Sequence, residues 1–423
     1  MLRTVLLAAT ALLSSVPAQA ATVVTAARYL DVNTGRYIDN PAILVGDDGR
    51  IQQIGNLASM QLPAGTKQID LAGKTLLPGL IDMHVHVDSL AQVGGYQGLK
   101  YTDSFWSAVS VANARKMLQA GFTTVRNVGS DRFNDVGLEE AVEGGWVVGP
   151  RIVPAGYAIG ATGGHCDNGG LPPSMDRKGP SIIDSPGEGR AKVRWLHKYG
   201  AEVIKICATG GVFSLGDSVG AQQLTVEEMK AIADEAHMLG LKVAAHAHGD
   251  EGIRAAILAG IDTIEHASLA SDETIKLAKQ HGTWFDMDIY NDDYILATGT
   301  ANGTEQESLD KEKAIGLKQR QTFQRGVQLG VPMVFGSDAG VYPHGDNGKQ
   351  FAKMVEWGMT PLQAIQAATR NASQALGRSD VGVIAVGAYG DLVAVTGDPT
   401  RDVRVLEKPD AVVKGGVLVA QTR

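Results

Sequence analysis

Two histidines one residue apart, His84 and His86, end the apolar run LPGLIDMHVH. Residues two apart in an extended strand project from the same face, so both imidazoles would leave one side of the strand tip together. Neutral imidazoles placed in this way suit a transition metal, and surface histidines without a role are the alternative for the pair taken alone. Further along the chain, Lys205 stands in AEVIKICATGG, His246 in LKVAAHAHG, His266 in IDTIEHAS and Asp338 in VPMVFGSDAG. Each lies near the C-terminal end of a short apolar run. Four histidines, a lysine and an aspartate at the tips of separate strands are a poor match to chance and point to a metal centre.

The elements that must position these residues follow from the rhythm of the chain. The segments LLPGLIDMHVH, FTTVRNVG, RIVPAGYAIG, AEVIKICATGG, LKVAAHAHG, IDTIEHAS, TWFDMDIY and VPMVFGSDAG are strand candidates. Amphipathic stretches separate most of them. In TVEEMKAIADEAHMLG, for example, Met229, Ile232, Ala233 and Ala236 recur at helical spacing and Gly240 closes the end. Eight strands alternating with helices predict an α/β protein built on a (β/α)8 TIM barrel, over residues 77–377. Chemistry in such barrels collects at the C-terminal strand ends, where the polar residues stand. The flanks, 21–76 and 378–423, read as short strands and turns, with DDG in PAILVGDDGRIQQIG as a hairpin signal. Neither flank has enough strands to bury an apolar face alone, so one small β-sandwich domain built from both chain ends is expected.

Composition narrows the partners. The 423 residues carry a net charge of -8, which offers no basic face for nucleic acid. With 44% hydrophobic and 20% charged residues and 52 glycines, the chain fits a loop-rich α/β enzyme. Residues 1–20 have an early Arg3, an apolar stretch, and small residues at Ala18 and Ala20, the layout of a cleavable signal peptide. A periplasmic or secreted product is expected, with no membrane insertion after signal removal. Cys166 and Cys207 are the two cysteines, too few for a disulfide framework, and free buried thiols are expected of them.

Taken together, the HxH pair, Lys205, His246, His266 and Asp338 resemble the binuclear metal branch of the amidohydrolase superfamily. ATGGHCDNGG, DIYNDDY and YPHGDN are similar to segments of its imidazolonepropionase-like dipeptidases, including Xaa-Pro dipeptidase-type and secreted ochratoxin-hydrolysing members. The resemblance implies two divalent ions, with His84, His86 and Asp338 on one and His246 and His266 on the other; imidazole and carboxylate ligands favour zinc, and the same set accommodates manganese, iron or cobalt. The resemblance also implies that Lys205 bridges them as a carbamate made with CO2, since a bare ammonium beside two dications is untenable. Such a pair of ions lowers the pKa of a shared water. Asp338 would then act as general base and general acid. His165, on the glycine-rich loop, would polarise the scissile carbonyl.

The reaction expected is hydrolysis of the amide bond to a C-terminal amino acid in dipeptides or N-acyl amino acids, ochratoxin-type amides included. His165, Ser214, Gln223, Tyr290 and His344 are the candidate substrate contacts, and loop N–H groups also compete to hold the carboxylate. Asp286, Asp288, Asp292 and Asp293 are expected near the mouth. His248 shares HAHG with His246, and one strand is expected to place only the first of them well. Leu224 stands near the place where prolidase-like members carry a tyrosine, which weakens any claim to proline specificity. The alternative enzyme is a cyclic-amide hydrolase of imidazolonepropionase type, against which Lys205 counts. A non-catalytic binding protein would be expected to have lost ligands, and none is lost. A homo-oligomer acting on a small molecule or dipeptide is the expected assembly.

Overall fold

A computed structural model describes residues 20–167, 169–175 and 177–421. The expected signal peptide therefore lies outside the described residues, apart from Ala20.

Both chain ends meet in one eight-stranded sheet. Strands Thr22–Asp31, Arg36–Asp39, Ala42–Val45, Ile51–Gly55 and Lys67–Pro78 come from the N-terminal side, and Leu392–Val395, Ala411–Lys414 and Val417–Gln421 from the C-terminal side. The expected sandwich is corrected in one respect. The pairing is a single mixed ladder, because Thr22–Asp31 runs parallel to Lys67–Pro78 while its other neighbours are antiparallel. The DDG turn joins Ala42–Val45 to Ile51–Gly55, with Gly49 at φ 74° and the Asp48 carboxylate accepting from the Arg50 N–H at 3.0 Å. Val24, Ile43, Val45, Leu76, Leu392 and Val413 pack into one core that draws on both ends of the chain.

The remaining strands form a TIM-barrel-like α/β unit. In chain order its strands are Leu80–Val85, Phe122–Asn127, Arg151–Pro154, Val203–Cys207, Lys242–Ala247, Thr263–His266, Trp284–Asp286 and Met333–Val334, while Gly160–Ala161 and Ile182–Ile183 pair separately in parallel. The first three pair in parallel and the last five pair in parallel. Isolated parallel bridges, Ile159 to Ile206 and Val85 to Ala339, link the two ladders at both junctions. Strand residues such as Val85, Phe122, Ile204, Val243, Ile264 and Phe285 share one core with the surrounding helices. Helix Val226–Met238 shows why those helices form where they do. Thr225 and Glu228 make a reciprocal capping box, Met229, Ile232, Ala233 and Ala236 are buried, and Gly240 leaves at φ 78°.

Between the seventh and eighth strands, Asn291–Asn302 and Gln306–Leu329 form a helical hairpin. It supplies one wall of the space above the strand ends.

Candidate active site

At those strand ends lies a chamber of about 600 Å³, lined by His84, His86, His165, Lys205, His246, His248, His266 and Asp338 among others. The C-terminal strand tips thus bring together every residue expected to hold metal. His84 Nε2 lies 3.4 Å and His86 Nε2 3.3 Å from Asp338 Oδ1. Ligand atoms of His84, His86 and Asp338 form one group within 4.8 Å of one another, and those of His246, His248 and His266 form a second. His248 therefore joins its neighbour in the cluster, against the expectation that only one of the two would be well placed. The strand ends at Ala247, and His248, two residues on from His246, stays on the same face, as the pair His84 and His86 does.

The far nitrogens are held by the protein. His84 Nδ1 sits 3.1 Å from Glu265, His86 Nδ1 3.1 Å from the Gly129 carbonyl, His248 Nδ1 2.8 Å from Ser268 and His266 Nδ1 2.7 Å from Asp288. Such outer partners fix ring orientation and tautomer, aiming the other nitrogen inward. Asp288 in turn accepts from Gln319, and Asn291 donates to both Asp288 and Asp338. His266 and Asp338 have φ values of 69° and 56°, left-handed backbone that a residue with a side chain adopts at a cost of order 1–3 kcal/mol. Strain of this kind collects where a side chain has to be aimed.

The donor set fits a metal centre. Lys205 Nζ, His246 Nε2 and Asp338 Oδ1 are buried without a hydrogen-bond partner, which is costly unless a cation or another group completes them. Burial lowers the pKa of His84 to about 4 and that of His246 well below the usual value, which favours the neutral imidazole that a metal would need. Burial also lowers Lys205, favouring the neutral amine that can take up CO2.

Underneath, Arg126 is fully buried in the second strand and bonds Glu265, Asp286 and Thr263. Against the pull of burial, the charge of Arg126 and then the nearby His84 imidazole hold Glu265 well below the usual carboxylate range. Burial and then the charge of Glu265 push Asp286 well above it. Asp286 thus belongs to the barrel floor and not to the mouth, as the strand register pairing it with Glu265 requires. A charged residue inside the apolar run FTTVRN was the available signal for this network.

His165 reaches the site on its loop and stacks against His246. A Cβ on Gly211 would lie 2.5 Å from His165 Cε1 and 2.7 Å from His246 Nε2, so the second glycine of ATGG makes room for both rings. The His165 N–H donates to Gln223 Oε1 at 2.8 Å, and Gln223 donates to Asp217 at 2.7 Å. Cys166 and Cys207 are joined in a disulfide, which corrects the expected free thiols and ties this loop to the Lys205 strand. The loop folds back over Gly160, where a Cβ would come within 2.7 Å of Cys166 Cβ.

The other expected substrate contacts fall outside the chamber wall. Gln223 supports the His165 loop. Ser214 bonds Asp217 and lines a neighbouring cavity with Arg132 and Arg177. Tyr290 packs edge-on against Tyr342, and His344 Nε2 lies 3.0 Å from the His86 carbonyl. Asp292 and Asp293 are engaged by Arg320, and Asp293 also by Lys353.

A sequence model of the amidohydrolase family matches residues 75–419. Ochratoxinase from Aspergillus niger is 32% identical over 375 residues, 81% of this chain and 75% of that one. A crystal structure of a Xaa-Pro dipeptidase with bound methionine superposes with a TM-score of 0.88 at 35% identity, covering 94% of this chain and 99% of that one. A prolidase complexed with N-methylphosphonate-L-proline gives 0.86 at 32% identity, covering 95% of this chain and all of that one, 100%.

Proposed function

The chain belongs to the amidohydrolase family and is a hydrolase of amide C–N bonds, and we propose that it releases a C-terminal amino acid from dipeptides or N-acyl amino acids at a two-metal centre. The observation that carries this reading is the convergence of partnerless ligand atoms, Lys205 Nζ, His246 Nε2 and Asp338 Oδ1, in one chamber. Two of the similar proteins are by name a dipeptidase and a prolidase, which supports an amide bond to an amino acid.

In this reading His84, His86 and Asp338 would hold one ion and His246 and His266 the other, with Lys205 available as a carbamate ligand between the two groups. When bound, two divalent ions, zinc by preference, supply Lewis-acid polarisation and acidify a shared water. Asp338 keeps one oxygen on Asn291 and has the other without a partner, so it can accept a proton and pass it to the departing amine. His165 is neutral, its pKa lowered to about 3 by burial first, and can offer an N–H to the carbonyl oxygen. Arg132 and Arg177 line the adjoining cavity, which shares His165 and Phe213 with the chamber, beside Asp103, Asp131, Asp167 and Glu305, and Arg132 is paired with Asp103 at 3.0 Å, so the guanidinium of Arg177 is the candidate for a substrate carboxylate. The disulfide also supports export to an oxidising compartment, with residues 1–20 as the signal.

The experiment compares a dipeptide with its C-terminal amide. A loss of a few kcal/mol in kcat/KM for the amide is expected if the carboxylate is recognised, and equal values would remove it from the reading.

A further inference from the structure

Three pieces of chain meet beside His165: its own glycine-rich loop, the segment that follows the Lys205 strand, and helix Gln306–Leu329. A run of hydrogen bonds joins them. The His165 backbone N–H donates to Gln223 Oε1 at 2.8 Å, Gln223 Nε2 donates to Asp217 Oδ2 at 2.7 Å, and Lys311 Nζ donates to Asp217 Oδ1 at 2.9 Å. Lys311 is itself held by Glu307 at 2.9 Å and by the Ser214 carbonyl at 2.6 Å. The polarity of the run leaves the Gln223 amide one orientation, since a backbone N–H only donates and a carboxylate only accepts. Its main chain is fixed as well, because the Gln223 N–H donates at 2.8 Å to the carbonyl of Ala208, one residue past the Lys205 strand. Two glycines permit this approach. A Cβ on Gly164 would lie 2.8 Å from Gln223 Oε1, and one on Gly210 would lie 2.6 Å from Asp217 Oδ2.

Asp217 has a second arm. Ser214 Oγ lies 2.8 Å from both of its oxygens and accepts from the Gly211 N–H at 3.0 Å. One arm therefore holds the backbone of His165, and the other holds Gly211, the residue whose missing side chain admits the His165 and His246 rings. Asp217, Gln223 and Lys311 stand outside the chamber wall, so any effect on the reaction passes through the residues they hold. We propose that Asp217 is a positioning residue for His165, acting through Gln223 and Ser214 and anchored by Lys311. This rests on the reading of His165 as the N–H donor to the scissile carbonyl, and it adds what keeps that donor in place. The Cys166–Cys207 bond restrains the chain after His165, and the Gln223 bond restrains the peptide before it. A donor to a developing oxyanion acts by being placed in advance, and a misplacement of about 1 Å costs on the order of 10² in rate.

The test is a double-variant cycle on the metal-loaded enzyme with one dipeptide, comparing wild type, Asp217→Asn, His165→Ala and the two together. Asp217→Asn keeps the shape and loses one acceptor oxygen, so Lys311, Ser214 and Gln223 compete for the oxygen that is left. It is expected to lower kcat by about tenfold or more and to leave KM within about twofold, with metal content unchanged. In the His165→Ala background the same substitution is expected to change kcat by less than about twofold, because the group it positions is gone. An undiminished kcat in Asp217→Asn overturns the assignment. So does a loss as large without His165 as with it, or a loss of metal, either of which would mark a general loosening of the site. Gln223→Leu, which removes one arm alone, is read in the same way and decides the matter if Asp217→Asn does not fold. An unchanged kcat in His165→Ala would defeat the reading of His165, and the proposal with it. A loss of kcat there with none in Asp217→Asn would defeat Asp217 alone.

Discussion

The imidazole of His165 lies flat on that of His246, with ring centroids 3.9 Å apart and planes inclined by 15°. One ring comes from a loop and the other from the fifth barrel strand. Gly211 leaves the space for both, and Gln223 holds the loop backbone. His165 is thus poised beside the ligand cluster and has its Nδ1 without a partner. His165→Ala is expected to lower kcat by roughly 10²–10³, the usual loss for one donor to a developing oxyanion, with a smaller effect on KM. An unchanged kcat in steady-state kinetics would take His165 out of the reaction.

The Cys166–Cys207 bond spans a sequence separation of 41 residues. Loop entropy alone assigns such a bond about 4 kcal/mol of stability. The Cys166→Ser, Cys207→Ser double variant should unfold at lower urea and lose turnover in step with a loosened His165 loop. Equal stability and turnover would show that the bond restrains neither.

Arg126 is buried between Glu265 and Asp286, and Glu265 orients His84. Removing one partner of a buried ion pair costs about 3–5 kcal/mol because the other charge is left alone. Arg126→Met should be destabilised by that amount in urea unfolding. A change under about 1 kcal/mol would mean that the floor relaxes around the loss.

Glu312 gives a pH signature of its own. Burial raises its folded-state pKa to about 8 from the ordinary 4.5, so between those values the folded chain binds more protons than the unfolded one. Stability from this group is complete at low pH and falls as pH rises from about 4.5 through about 8. The difference in unfolding free energy between wild type and Glu312→Gln should therefore move against the wild type by a few kcal/mol from pH 5 to pH 8. A difference that is flat with pH would show that Glu312 has an ordinary pKa.

The parallel strands and the clustered histidines were legible because strand pattern and residue type act locally. Each run of β-branched residues carries its own period, and each polar tip interrupts it. The second layer was not legible. Arg126, Glu265 and Asp286 come from three strands and acquire meaning only through sheet register, and Asp286 reads as a loop acid until Glu265 is seen beside it. Glu312 sits in a long polar helix whose inward face is set by its packing across the strand ends. The Cys166–Cys207 pairing depends on how a glycine-rich loop folds back, which no spacing rule specifies. His248 was legible by the rule applied to His84 and His86, since it stands two residues from His246 and so shares its face.

The most direct test of the central claim is the metal content of purified wild-type and Lys205→Ala proteins, measured with turnover of one dipeptide. A two-metal centre bridged at Lys205 predicts about two transition-metal ions per wild-type chain, loss of turnover on chelation, and fewer ions with little turnover in the variant. A Lys205→Ala protein that kept both ions and full turnover would contradict it.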